Sequence, residues 1–94
     1  MCRLFGIAAN RPVDLHFSFE HGADTTFTDL GLWNPHGWGL AGYEYRGQRA
    51  PWVVKETCPA PDSGRREPLT GKALSPIYIG HVRYATHGKI SRTN

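Results

Sequence analysis

The segment PIYIGHVRY, residues 76–84, constrains the fold more than any other part of the chain. Its β-branched and aromatic residues favour a pleated, extended surface, and a proline opens it, where a missing N–H is best tolerated. A period of two sends Ile77, Ile79, His81 and Arg83 to one face of the strand. The other extended segments are its candidate partners. Residues 2–9 carry apolar groups on both alternating sets, Leu4 and Ala8 on one side and Phe5 and Ile7 on the other, so a strand covered on both faces is expected there. Residues 38–45 and 52–56, joined through Arg46-Gly47-Gln48, read as a hairpin. Asn34-Pro35 marks a turn before it, and Gly37, Gly39 and Gly42 allow close backbone approach.

The intervening segments are less regular. Val13, Leu15, Phe17 and Phe19 alternate as in a half-buried strand, yet Asp14 is also a suitable cap for a short helix, and both readings stay open. Residues 20–29 and 57–66 are loop by composition, and residues 67–74 suit one or two helical turns interrupted by Gly71. There is no internal repeat and no low-complexity tract.

At 94 residues the chain is one domain at most. Folding at this size buries roughly 60 to 65% of the surface that an unfolded chain exposes. An apolar fraction of 39%, with three Trp, four Tyr and four Phe, supports globular packing and argues against wholesale disorder. The net charge is +3, but the basic residues are scattered, with Arg65-Arg66 the one adjacent pair. Nucleic-acid binding is therefore not expected, since it needs basic residues gathered on one face. No stretch approaches the ~20 apolar residues of a membrane helix, and the apolar run of residues 4–9 is too short for a signal-peptide core. Cys2 and Cys58 form neither a C-x-x-C pair nor a dense disulfide framework, so a reducing cytoplasm is the expected setting. His16, His21, His36, His81 and His87 make no recognised metal spacing with one another or with cysteine; no metal and no cofactor are expected.

Two places carry chemistry. Cys2 has a side chain small enough to permit removal of Met1, which leaves a thiol and a free α-amine on one residue. An α-amine with a pKa of roughly 7.7 to 8.0 can serve as a base for a thiol at about 8.5. On position alone Cys2 reads better as a small core-type residue. A second motif, GHVRYATHG at residues 80–88, reverses that preference. Its Arg83 presents a planar guanidinium able to take a carboxylate through two parallel hydrogen bonds, and Thr86 and His87 follow at the strand end, where sites are commonly built. By itself Arg83 reads equally well as a solvated edge residue.

MCRLFGI at the N-terminus, NPHGWGLAGY in the middle and GHVRYATHG near the end, in that order, resemble the class II glutamine amidotransferases of the N-terminal-nucleophile hydrolase superfamily. The resemblance covers nearly the whole chain, and G-H-x-R-x-A-T-H-G is its most specific part. It is closer to small stand-alone amidotransferase-like hydrolases than to glutaminase domains fused to synthases. The resemblance implies an α+β fold, part of a four-layer α/β/β/α sandwich with antiparallel sheets, residues 1–94 being the N-terminal part of the domain. It implies Cys2 as nucleophile with its own amine as base. Arg83 would bind the substrate α-carboxylate, Thr86 and His87 would complete the glutamyl pocket, and Trp38 and Gly39 would belong to the loop walling the thiol.

Two departures from the family pattern stand out. Relatives often carry an acidic residue before G-W-G, where this chain has His36. The family's Asn-Gly oxyanion element and the acid that holds the substrate amine are expected beyond residue 94, so self-association or a longer parent chain is expected to complete the half sandwich. The implied reaction is cleavage of a γ-glutamyl amide, glutamine to glutamate and ammonia, through a thioester on Cys2. The alternative is a catalytically inactive remnant, or a glutamyl-binding module that binds its small-molecule ligand without releasing ammonia.

Overall fold

The strand expected from residues 76–84 is the interior of a sheet. The computed structural model describes residues 2–16, 19–20, 25–43, 49–65, 74–87 and 89–91. Among them are four strands, β1 (Arg3–Asp14), β2 (Trp38–Tyr43), β3 (Trp52–Glu56) and β4 (Leu74–Val82), in one sheet of order β1-β4-β2-β3. Every neighbouring pair is antiparallel. With short 3-10 turns at Asp29–Leu32 and Ala60–Asp62, the chain is a small α+β-type domain, mostly antiparallel sheet with few helices.

Pairing register decides which side chains share a face. Phe5 and Leu40 both lie opposite Gly80, and Ile7 and Gly42 both lie opposite Tyr78. That face is covered: Leu15, Phe19, Leu40, Tyr78 and Val82 are buried, with Phe27 and Leu30 packed against them. Phe19 meets Phe5 edge-on at 5.4 Å and Phe27 at 5.0 Å between ring centroids, within the range at which aromatic pairs add to simple burial. Phe19 occupies the slot left by the absent side chain of Gly80; a Cβ there would stand 2.4 Å from the Phe19 ring.

The other face carries Ile77, Ile79, His81 and Arg83, as the period of two predicts, alongside Leu4, Ala41 and Val53 from the neighbouring strands. Here the expectation for residues 2–9 needs correction. Leu4 is 72% exposed, so β1 is covered on one face among the described residues. Apolar residues on both alternating sets record what a strand can bury and do not specify the layer that buries it.

Pro76 lies within β4 and not at its start. It lacks the N–H of a central-strand residue, and the β1 ladder slips beside it: Ala8 pairs with Ile77 and the next pair is Val13 with Ser75. A bulge is where proline is tolerated inside a sheet. The expected hairpin is present, with Trp38 opposite Glu56 and Leu40 opposite Val54; its connection at residues 44–48 lies outside the described residues. The alternation from Val13 to Phe19 does not continue as strand. Leu15 and His16 are helical, and the Asp14 carboxylate accepts the His16 N–H at 2.8 Å, as a helix cap does. The helical turns expected at residues 67–74 fall on residues outside the description, except that Leu74 already belongs to β4. The loop at residues 57–66 holds the second 3-10 turn, which packs on the first: a Cβ on Gly31 would stand 2.9 Å from the Pro61 ring.

Candidate active site

The pairing of Arg3 with Val82 closes the ladder of β1 and β4, and directly beyond it Cys2 comes against the chain leaving β4. Cys2 is exposed. Its Sγ accepts the Tyr84 backbone N–H at 3.3 Å and lies 3.5 Å from the Tyr84 carbonyl, to which its S–H can donate. The Arg3 guanidinium donates to the Cys2 carbonyl at 3.2 Å.

On its other side the same exit segment is held by the approach to β2. The Arg83 N–H donates to the Gly37 carbonyl at 2.9 Å and the His36 N–H donates to the Arg83 carbonyl at 3.0 Å, prolonging the β2–β4 pairing past the end of β4. Gly37 has φ of +134°, a conformation that a side chain would strain, and a Cβ there would stand 2.8 Å from the Glu56 carbonyl. The turn signalled by Asn34-Pro35 thus needs glycine at 37 to bring His36 alongside residues 83–85. The His36 Nδ1 accepts the Ala85 N–H at 2.8 Å, and its ring lies 4.9 Å from that of Tyr84.

The Arg83 side chain reaches along the loop that follows. Nη1 donates to the Lys89 carbonyl at 3.0 Å and Nη2 to the His87 carbonyl at 3.3 Å. Two of its five N–H donors are therefore committed to closing that loop. Cys2, Arg83, Thr86 and His87 gather around the exit of β4, with Thr86 and His87 exposed on the loop. Trp38 and Gly39 are the first residues of β2. Trp38 is buried, and its indole N–H donates to Glu56 at 3.2 Å. Gly39, paired with His81, faces a cleft on the open side of the sheet that Gly37, Lys55, His81, Arg83 and Ser91 also line.

The cleft is basic. Lys55 and Arg83 bring positive charge to it, while burial, and then the charge of Arg83, push the His81 pKa below the ordinary imidazole value. Such a cleft suits an anionic group such as a carboxylate. Glu56, itself in the lining, accepts hydrogen bonds from Trp38, Cys58 and Ser63, with Arg65 3.9 Å away. The Ser63 bond is the main cause that lowers the Glu56 pKa. Burial, then the hydrogen bond to Glu56, pushes the Cys58 thiol up, so Cys58 is the poorer source of thiolate in its surroundings. Among the described residues no group of three or more His, Cys, Asp or Glu is placed to hold a metal ion, and no helix is long and apolar enough to cross a membrane.

Sequence reasoning missed Lys55 and the bond from His36 to Ala85. The first was within reach, because the hairpin register that pairs Trp38 with Glu56 also sets Lys55 opposite Gly39 and beside His81. The second had no local signal, since its partners are 49 residues apart.

The chain was also compared with known proteins. The family described as "Glutamine amidotransferases class-II" matches residues 1–94. A protein of Escherichia coli (strain K12) named "Putative glutamine amidotransferase YafJ" is 30% identical over 100 residues, a match covering 100% of this chain and 35% of that protein. The chain thus spans about a third of that relative's length. No solved structure matches the chain significantly. With a family match over its whole length, the chain belongs to the class II glutamine amidotransferase family.

Proposed function

We propose that the chain carries the nucleophile of a glutamine-hydrolysing site: with Met1 removed, the Cys2 thiol attacks the side-chain amide carbon of glutamine or another γ-glutamyl compound. A carbon–sulfur bond forms as the thiol proton passes to the free α-amine. The carbon–nitrogen bond then breaks, ammonia leaves with that proton, and water cleaves the thioester to release glutamate and restore the thiol. The observation that carries the reading is the exposed Cys2 thiol set against the exit of β4, on the backbone of Tyr84 next to Arg83 in the chain.

Family membership supports a glutamine-type small-molecule substrate. The cleft supports a place for the substrate carboxylate, with Arg83 as its main partner and Gly39 in its wall, and Thr86 and His87 would approach it from the loop whose His87 carbonyl Arg83 holds. Trp38 acts from within the core by fixing the strand that carries Gly39. The raised pKa of Cys58 supports Cys2 over Cys58 as the reactive thiol. Within the proposal the sheet is one layer of a four-layer α/β/β/α sandwich, and the working compartment is the reducing cytoplasm, which keeps both free cysteines as thiols.

The test is ammonia release from glutamine by the full chain, its Met1 status fixed by intact mass, against Cys2→Ser and Cys58→Ser. Loss in the first and retention in the second is the expected pattern. Glutamine binding without ammonia release by the unsubstituted chain would make it a binding module, and full activity with Met1 retained would sink the amine-assisted mechanism.

A further inference from the structure

His36 stands at the one place in the G-W-G motif where the chain departs from the acidic residue expected of its relatives, and the glutamine-hydrolysis reading gives it no task. Its surroundings do. Tyr84 and Ala85 form a short backbone segment gripped from both sides: the Tyr84 N–H is spent on Cys2 Sγ at 3.3 Å, and the Ala85 N–H is spent on His36 Nδ1 at 2.8 Å. His36 is itself tied to the segment through its own N–H to the Arg83 carbonyl at 3.0 Å. An Nδ1 that accepts a backbone N–H cannot carry a proton, so the geometry requires the neutral tautomer with hydrogen on Nε2. A carboxylate at this position would bring a full negative charge to the Tyr84–Ala85 segment; the imidazole supplies an acceptor without that charge.

From this arrangement we infer that His36 is a positioning residue: its unprotonated Nδ1 fixes the Tyr84–Ala85 backbone and thereby the seat of the Cys2 sulfur. It belongs to the lining of the cleft, and its hold on the sulfur acts through two peptide groups. The inference rests on the proposal that Cys2 is the nucleophile for its consequence in turnover, but its structural part stands on the His36–Ala85 bond alone.

Two substitutions separate the acceptor from the ring. His36→Phe keeps a ring against Tyr84 and removes the acceptor, whereas His36→Asn loses the ring and places an amide oxygen near where Nδ1 was. Amide hydrogen exchange at Ala85 in the full chain should quicken about tenfold in His36→Phe, the equivalent of losing one hydrogen bond. In His36→Asn it should return to within about twofold of the unsubstituted chain. The kcat for ammonia release, referred to the folded fraction read from the same exchange spectra, should follow the same order, since loss of folded protein alone would lower Vmax at unchanged KM. Nitrogen NMR of the unsubstituted chain should show hydrogen on Nε2 of His36, and this needs no variant to fold. A proton on Nδ1, or an Ala85 amide equally protected in His36→Phe, overturns the inference. Exchange that fails to recover in His36→Asn overturns it as well. Ammonia release that survives Cys2→Ser brings down the nucleophile proposal instead, and the exchange and tautomer results still decide the role of His36.

Discussion

At the scale of single residues, Arg83 and Glu56 show how one charged side chain can hold several neutral groups. Arg83 bonds two loop carbonyls at once, His87 and Lys89, while lining the cleft proposed for the substrate carboxylate. A lysine offers a point charge and cannot span both carbonyls in a planar fork. Arg83→Lys is therefore expected to raise the KM for glutamine about tenfold or more, from loss of roughly 1.5 to 3 kcal/mol of charge-assisted bonding, and to speed amide exchange at residues 87–89. An unchanged KM in folded protein would remove Arg83 from carboxylate binding. Glu56 gathers Trp38, Cys58 and Ser63, and the Ser63 bond chiefly lowers its pKa. A carboxyl with a folded-state pKa below its unfolded value contributes stability above the unfolded value, and that contribution is lost as pH falls through the folded value. Thermal melting should accordingly show Glu56→Gln less stable than the unsubstituted chain at pH 7, with the gap closing below about pH 4. A gap that widens in acid would mean that the charge on Glu56 is not what stabilises this cluster.

At the scale of elements, the central strand was legible because its composition and its period agree: Ile77, Ile79, His81 and Arg83 share a face as their alternation requires. The hairpin was legible for the same reason, its two apolar runs having a glycine-bearing connection. What stayed hidden depends on contacts distant in sequence. Nothing local in β1 says that Leu4 faces outward uncovered, and at Leu15 and His16 the local signals conflict, with the Asp14 cap prevailing over the alternation of apolar residues. Gly80 is the instructive case, since a motif marks it while only the packing explains it: it lies between Phe5 and Leu40 in the register, and the Phe19 ring fills the place of its side chain. A methyl group would stand 2.4 Å and 2.6 Å from two Phe19 carbons and 3.2 Å from Phe27. Gly80→Ala should therefore destabilise the chain by about 1 to 3 kcal/mol, the usual cost of overpacking, as read by urea unfolding. Phe19→Leu in the same background should recover part of the loss by vacating the slot, and a Gly80→Ala variant as stable as the unsubstituted chain would show that the ring is not seated as described.

At the scale of the whole molecule, the sheet has one finished face and, among the described residues, one open one. The finished face meets Leu15, Phe19 and Phe27, whereas the other presents Leu4 on β1, Ile77 and Ile79 on β4 and, across Ala41 of β2, Val53 on β3, each of the four at least 47% exposed. Contiguous apolar surface of this kind is uncommon on monomeric soluble proteins, and covering it is favourable by roughly 25 cal/mol per Å² of apolar area. Strands β1 and β3 also lie at the sheet edges, where unpaired backbone groups can receive another strand. A polypeptide of residues 1–94 studied alone should therefore associate at micromolar concentrations, giving a mass above that of a monomer by light scattering. Ile79→Lys tests which surface is responsible. Its side chain leaves the centre of the open face and makes no part of the buried cluster, so it should shift the population towards monomer without lowering the melting temperature of the core. Association that persists unchanged in Ile79→Lys would transfer the cause to the strand edges, and a strictly monomeric unsubstituted polypeptide would mean that the open face is covered by residues of the same chain.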